Sequence, residues 1–354
     1  MFPILKHYVF IILFLFILSK NSYSEALCVG ARCSDIPPEV VFGANLIDPA
    51  LDAVYTKEFL LSMAEAAVLQ NVSSSLMGAS RINRVRIGAG YSVARTNLSP
   101  RNYFFENSEL RELPNQGIAA SPSVVVGANL GSFFTGPSPY LSKLNLHFHY
   151  FPYDLSEQNV PFLKLRKTDL NGKVTNLGLN LRYFPFYEGN TTAGENSSGF
   201  SVGLGLFQSA QTISLHSYDR RPTNVNLSGQ RRKWIGVNDL TYNSNIYSAT
   251  LDVRYGKTIG FFTAYAGLGA MFNQGTVDIR VERNVALSSA EDKEDFVTDP
   301  TLAFLDLKRN LFVSHKNWYA TIGMEFAFGD ASLILEYLKN KNSESVSAGA
   351  VYRF

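Results

Sequence analysis

The chain has 354 residues, of which 46% are hydrophobic and 13% aromatic, with 26 Phe and 18 Tyr, while only 18% are charged and the formal net charge is +2. That near-neutral balance excludes the basic footprint of a nucleic-acid partner. Beyond the first two dozen residues no apolar run approaches the roughly 20 residues of a spanning helix, so a helical membrane protein is excluded, and low charge with many aromatics suits a transmembrane barrel.

Residues 1–24 read as a secretory signal peptide. Lys6 precedes an apolar stretch from Tyr8 to Leu18, and Ser22 and Ser24 supply the small side chains before a cut expected after Ser24. Export from the cytoplasm follows from that reading. Residues 25–78 form a periplasmic or plug segment, and residues 79–354 the barrel. Cys28 and Cys33 are the only cysteines. In an oxidising periplasm they are expected to pair. An acyl anchor on Cys28 is the alternative, against which Leu27 stands, because lipid-modifying peptidases want a small residue there.

A helix is expected from Pro49 to Gln70. Asp48 caps its free N–H groups, Pro49 suits the first turn, and Asp52 complements the dipole. Leu51, Val54, Tyr55, Leu61 and Val68 make one apolar face, with Lys57, Glu58 and Glu65 off it. Those charges rule out a lipid span, so the helix plugs the lumen or packs under the periplasmic mouth.

From residue 82 the pattern changes to period two, as a wall with lipid on one side and a polar interior requires. Ten strands are expected, near 82–95, 123–134, 140–151, 176–187, 199–208, 245–256, 260–273, 316–328, 331–339 and 344–354, with twelve as the alternative. In the third, Leu144, Leu146, Phe148 and Tyr150 face out while Lys143, Asn145, His147 and His149 face in. The third and fourth share a leucine alternation ending in aromatics around Pro152 and Pro185, read as neighbours meeting an aromatic girdle. The fold class is thus all-β, an antiparallel transmembrane barrel with an N-terminal helical segment.

The inward parity collects Arg84, Arg86, Lys143, His147, His149, Arg182, Asp252, Arg254, Glu325, Glu336 and Arg353 as lumen charges. Arg or Lys facing lipid at mid-depth costs about 2 to 4 kcal/mol, so the parity is a physical requirement. Short turns fall near Gly136, Gly256 to Gly260 and Gly329 to Asp330, and long loops near 96–122, 209–244 and 274–315. Val277 to Val281 and Leu302 to Leu311 either add a hairpin or extend strands beyond the bilayer. One loop is basic, with Arg220, Arg221, Arg231, Arg232 and Lys233, and suits lipopolysaccharide or an acidic ligand; another is acidic, with Glu291, Asp292, Glu294 and Asp295. His147 and His149 share a face, but no third ligand at fixed spacing completes a metal site. No nucleophile motif appears, so neither an enzyme nor a cofactor is expected.

The final strand alternates Val346, Ala348, Ala350, Tyr352 and Phe354 outward. It resembles the C-terminal signal of bacterial outer-membrane β-barrel proteins, which implies that Tyr352 and Phe354 engage the barrel-assembly machinery. The cysteine-bearing N terminus, helix and long-looped barrel look like surface adhesins of spirochaetes, some of which bind host matrix proteins; no binding residue carries over. Asp48-Pro49-Ala50 before the helix is similar to the hatch of long-chain fatty-acid transport barrels, although those carry Asn-Pro-Ala there and more strands. The functional expectation is a surface protein binding external ligands through its loops. The alternative is a plugged pore or uptake channel.

Overall fold

The computed structural model describes residues 25–35, 60–97, 116–134, 140–156, 168–186, 199–219, 221–227, 230–289 and 301–354. The signal peptide, the expected helix start at Asp48 and Pro49, Arg220 and the acidic loop lie outside those residues. The elements are β1 (Glu25–Val29), α1 (Leu61–Ser73), β2 (Val85–Asn97), β3 (Gln116–Asn129), β4 (Leu144–Ser156), β5 (Thr168–Tyr183) and β6 (Gly199–Tyr218), followed by β7 (Thr223–Leu227), β8 (Gln230–Ile259), β9 (Phe262–Ser289), β10 (Thr301–Phe328), β11 (Ala331–Asn340) and β12 (Ser343–Arg353).

Ten strands close a ring in the order β2-β3-β4-β5-β6-β8-β9-β10-β11-β12, every pair antiparallel, with β12 returning to β2 from Ser343↔Thr96 to Arg353↔Arg86. Two short strands are appended, β1 on β10 and β7 on β8, making twelve in the sheet. The β10–β11 ladder, from Tyr319↔Asn340 to Phe328↔Ala331, has ten rungs. That matches the roughly 9 to 11 residues with which a tilted strand crosses a bilayer. At one end the hairpins are tight, with Gly260 and Gly329 in the left-handed backbone that two-residue turns need.

Outward positions carry the expected apolar set. Ile87, Tyr91, Leu204, Leu206, Leu251, Ile322 and Leu333 are exposed, while their sequence neighbours Arg86, Ser92, Asp252, Thr321 and Ser332 are buried. Two aromatic girdles bound this band. Phe200, Tyr255, Phe328, Tyr352 and Phe354 are exposed at the short-turn end, and further along their strands stand Tyr247, eight residues from Tyr255, Trp318, ten from Phe328, and Tyr150, six from the start of β4. Because β4 and β5 are antiparallel, with Leu144 opposite Tyr183, the clusters at Pro152 and Pro185 fall on opposite girdles and not on one.

The expected long loops at 209–244 and 274–315 are largely strand. β8, β9 and β10 have 30, 28 and 28 residues, so with β6 they continue past the ring as a projecting sheet. The period-two pattern persists there on charged and polar residues, which resembles loop composition but pairs well. Hence Arg231, Arg232 and Lys233 lie on β8, paired with Asn226, Val225 and Asn224 of β7, not in a loop. β3 likewise begins at Gln116, earlier than expected, because Pro122 interrupts its pattern.

One seam is short. β3 and β4 pair only from Asn129↔Asn145 to Val125↔His149. Asn129 N donates to Arg84 O on the β2 side and Phe184 N to Lys143 O on the β5 side. Alternation then turns the groups of residues 128, 126, 124 and 122 of β3, and of 144, 146, 148, 150 and 152 of β4, toward each other. Continued in register, Pro122 would oppose Pro152, each lacking the N–H the ladder needs. The wall therefore parts beyond Val125 and His149.

The helix α1 lies within the ring, touching β2, β3, β5, β6, β8, β11 and β12. It continues to Ser73, past the expected end at Gln70. Eleven of its 13 residues, Glu65 among them, are buried; with strands on all sides it has no free polar face.

Candidate functional site

The lumen is divided. Toward the long-strand end, Leu60, Ala64, Val68, Leu69 and Val72 of the helical segment pack against Ala94, Ala119, Phe207, Tyr242, Ile246 and Leu338. Toward the short-turn end the filling is ionic. Arg182 Nη2 reaches both Asp252 oxygens at 2.8 and 2.7 Å, and Arg254 Nε shares Oδ2 at 2.7 Å. Arg254 Nη1 also binds Glu336, whose Oε2 accepts Tyr265 O–H at 2.9 Å. Arg353 pairs with Glu325.

This network holds the segment after the helix. Arg86 Nη2 donates to Leu76 O at 3.1 Å and Met77 O at 3.0 Å, Arg254 Nη1 to Gly78 O at 3.4 Å, and Ser80 N to Glu325 Oε2 at 3.3 Å. Higher up, Gln70 Nε2 donates to Ser92 Oγ at 2.6 Å and Asn176 Nδ2 to Gln70 Oε1 at 2.8 Å. His149 Nε2 donates to Asn71 Oδ1 at 2.8 Å, and Asn71 Nδ2 to Gln208 O at 2.8 Å. Backbone glycines make the room: a Cβ on Gly90 or Gly349 would meet Leu76 at 2.4 or 2.3 Å, and one on Gly127 would meet Ile82 at 2.4 Å.

Of the residues expected in the lumen, Arg86, His147, His149, Arg182, Asp252, Arg254, Glu325 and Glu336 are buried there. His147 Nδ1 accepts from Arg86 at 3.0 Å, whereas His149 faces the helix, so the two imidazoles serve different partners. Two expected members are elsewhere. Arg84 precedes β2 and is exposed at the rim. Lys143 sits in a short turn before β4, half-buried, its Nζ donating to Pro185 O at 2.8 Å. Parity gives a side chain's face but not the strand's end, and both fall just outside a strand. Among the described residues, no three His, Cys, Asp or Glu are placed to hold a metal. Sequence reasoning missed Tyr265, Gln70, Asn71 and Ser201, whose Oγ accepts from Arg182 Nη1 at 2.8 Å; the inward parity of Tyr265 in AYAGLG was the available signal.

The projecting sheet is the second candidate surface. Arg280 donates from Nε and Nη2 to Asp306 at 3.0 and 2.9 Å, and Lys308 Nζ lies 2.9 Å from the same carboxylate. The hydrogen bond from Arg280 holds the Asp306 carboxyl below its ordinary range. The Arg283 guanidinium stacks 4.1 Å over Trp234. Cys28 and Cys33 are joined by a disulfide, beside a tip where Leu27, Val29, Leu302 and Phe304 are exposed.

A closed antiparallel ring that is apolar outside, ionic inside and belted by aromatics is a bacterial outer-membrane β-barrel. Solved barrels of low identity are similar to it: the translocator domain of the autotransporter NalP from Neisseria meningitidis (11% identity, 84% of this chain and 100% of that one, TM-score 0.31), and the toluene transporter TodX from Pseudomonas putida (7%, 79% and 92%, 0.25). Ail of Yersinia pestis, solved with the heparin analogue sucrose octasulfate, is a third (11%, 77% and 100%, 0.22). No curated protein matches the chain in sequence. The Lsa36-like family does, over residues 21–354, and the chain belongs to that family.

Proposed function

We propose that this is a non-enzymatic surface protein of the outer membrane, exported by its signal peptide and seated by the barrel-assembly machinery through Tyr352 and Phe354. In this reading its projecting sheet binds external ligands, whether lipopolysaccharide, host matrix or another surface component. The observation that carries the reading is the division of labour along the strands. About ten residues of each are used on the bilayer, while β8, β9 and β10 continue for as much again and more. Placed outside, that sheet offers Arg231 and Lys233 on one face and Arg232 on the other to an anionic ligand. It also exposes Leu27, Val29, Leu302 and Phe304 where no lipid covers them. The filled lumen favours it further, since a solute would have to displace a segment tied by Arg86, Arg254, Gln70 and Asn71.

One observation supports a second reading, uptake of apolar solutes. The β3–β4 ladder stops at Val125 and His149, so the wall beside the apolar half of the lumen lacks hydrogen bonds across that seam. Planar-bilayer recording separates the two. For the surface protein, the full mature chain is silent, and reversal of Arg231, Arg232 and Lys233 to Glu abolishes ligand binding while the unboiled protein keeps its compact gel band. Stable conductance steps from the full chain, or unchanged binding by the triple variant, would sink it.

A further inference from the structure

We propose that the N-terminal segment crosses the membrane inside the barrel, so that residues 25–35, with the Cys28–Cys33 loop, are displayed on the outer cell surface and not in the periplasm. This rests on the orientation adopted above, with the short turns and Phe354 on the periplasmic side.

The depth of β1 is given by its register. It pairs with β10 from Glu25↔Asp306 to Val29↔Leu302, whereas β10 reaches the short-turn end at Phe328, 22 residues beyond Asp306 (328 − 306). At about 3.3 Å per residue that is roughly 73 Å of strand, or about 50 Å along the barrel axis at a 45° tilt. The hydrocarbon layer is only about 30 Å thick. β1 therefore stands beyond the far side of the lipid, on the projecting sheet.

Residues 60–84 descend the lumen. Near the helix start, a Cβ on Gly117, which pairs with Thr96, would collide with the Ser62 carbonyl. One turn further Glu65 Oε2 accepts from Ser343 Oγ at 3.2 Å. Gln70 then reaches Ser92, Leu76 fits over Gly90, Met77 O meets Arg86, and Ile82 fits over Gly127. Measured on β2, the levels fall steadily from 96 through 92 and 90 to 86. At the bottom Asn129 N donates to Arg84 O and the chain turns upward into β2. A chain whose β1 stands above the lipid, and whose residues 62–82 contact the inner wall at successively lower levels before turning at the bottom, has threaded the lumen. It follows that a tag joined ahead of residue 25 of the mature chain is carried outward, and that β12 closes on β2 around a chain already in place.

The test uses the native cysteines in intact cells. A membrane-impermeant reductant followed by an impermeant maleimide should label Cys28 and Cys33 as fully in intact cells as in lysed ones. Two markers report orientation in a chain with both cysteines changed to Ser: Asn224→Cys on β7, expected to label from outside, and Asp330→Cys in the short turn, expected to label only after the outer membrane is opened. Labelling of the native pair only under the conditions that label Asp330→Cys, with Asn224→Cys reacting from outside, would overturn the threaded path and leave the surface reading intact. If Asn224→Cys also required opening, both would fall.

Discussion

At the residue scale the lumen is a set of charges that tolerate burial only in company. Arg182, Asp252 and Arg254 are each about 1% exposed, and removing one partner of such a group costs roughly 3 to 5 kcal/mol because a bare charge is left behind. Arg182→Met should therefore lower the urea midpoint of the detergent-folded protein far more than Arg95→Met, whose guanidinium pairs with Glu344 at the surface. Equal shifts would mean the buried site is wet. A second prediction concerns the projecting sheet. Asp306 is held below its ordinary value of 3.8 by the Arg280 hydrogen bond. A depressed carboxyl contributes stability that is complete above its unfolded value and disappears as pH falls through the folded one. Amide protection factors of Leu302 to Asp306 should thus be flat at higher pH and drop below about 3.8, whereas Asp306→Asn should show a low, pH-independent level. Exposed pairs contribute only about 0.2 to 1 kcal/mol, so the drop is modest. Parity alone pointed Arg86, Arg182, Asp252 and Arg254 to the face where they are buried, but it also pointed Arg84 and Lys143 there, which stand just outside their strands. The partners of the buried set were not legible: whether Arg86 answers a carboxylate or the carbonyls of Leu76 and Met77 depends on a segment 9 or 10 residues upstream that parity does not place.

At the element scale, strands were legible in their centres and hidden at their ends. Leu144 to Tyr150 and Val346 to Phe354 alternate so cleanly that face and register follow. In β8 to β10 the outer halves alternate on Asn, Asp, Arg and Thr, which read as loop. Their pairing is explained by neighbours, since Val277, Ile279 and Val313 on the inner face are buried. The shortened β3–β4 ladder belongs at this scale. Both prolines withhold a donor on the facing edges, so restoring the N–H groups in Pro122→Val with Pro152→Val should extend the ladder. Within residues 116–124 and 150–156 the amides on the facing edges, those of the even-numbered residues, should then exchange more slowly, with the single variants intermediate. Unchanged exchange would mean that something other than the missing donors parts the strands. If the seam serves apolar solutes, the double variant should also slow their uptake, a result the surface reading does not require.

At the scale of the whole molecule, the placement in lipid is what ties the ring, the girdles and the projecting sheet together, and the chain carries its own reporters. It has two tryptophans. Trp318 is 79% exposed on the outer face at the upper girdle. Trp234 lies on β8 opposite Leu287 of β9, seventeen residues along β9 from Ala270, the partner of Trp318 (287 − 270), and it is covered by Arg283. Seventeen residues correspond to about 56 Å of strand, more than the lipid can cover beyond a girdle already at its boundary. In reconstituted vesicles, acyl chains brominated near the headgroup should quench the fluorescence of Trp234→Phe, which retains Trp318, and leave Trp318→Phe unaffected. Aqueous acrylamide should reach the remaining Trp234 of the latter variant. Quenching of Trp234 by the brominated chains would put the long strands in or along the bilayer, and the outward-facing Leu302, Phe304 and Phe312 would then be lipid contacts and not part of a binding surface.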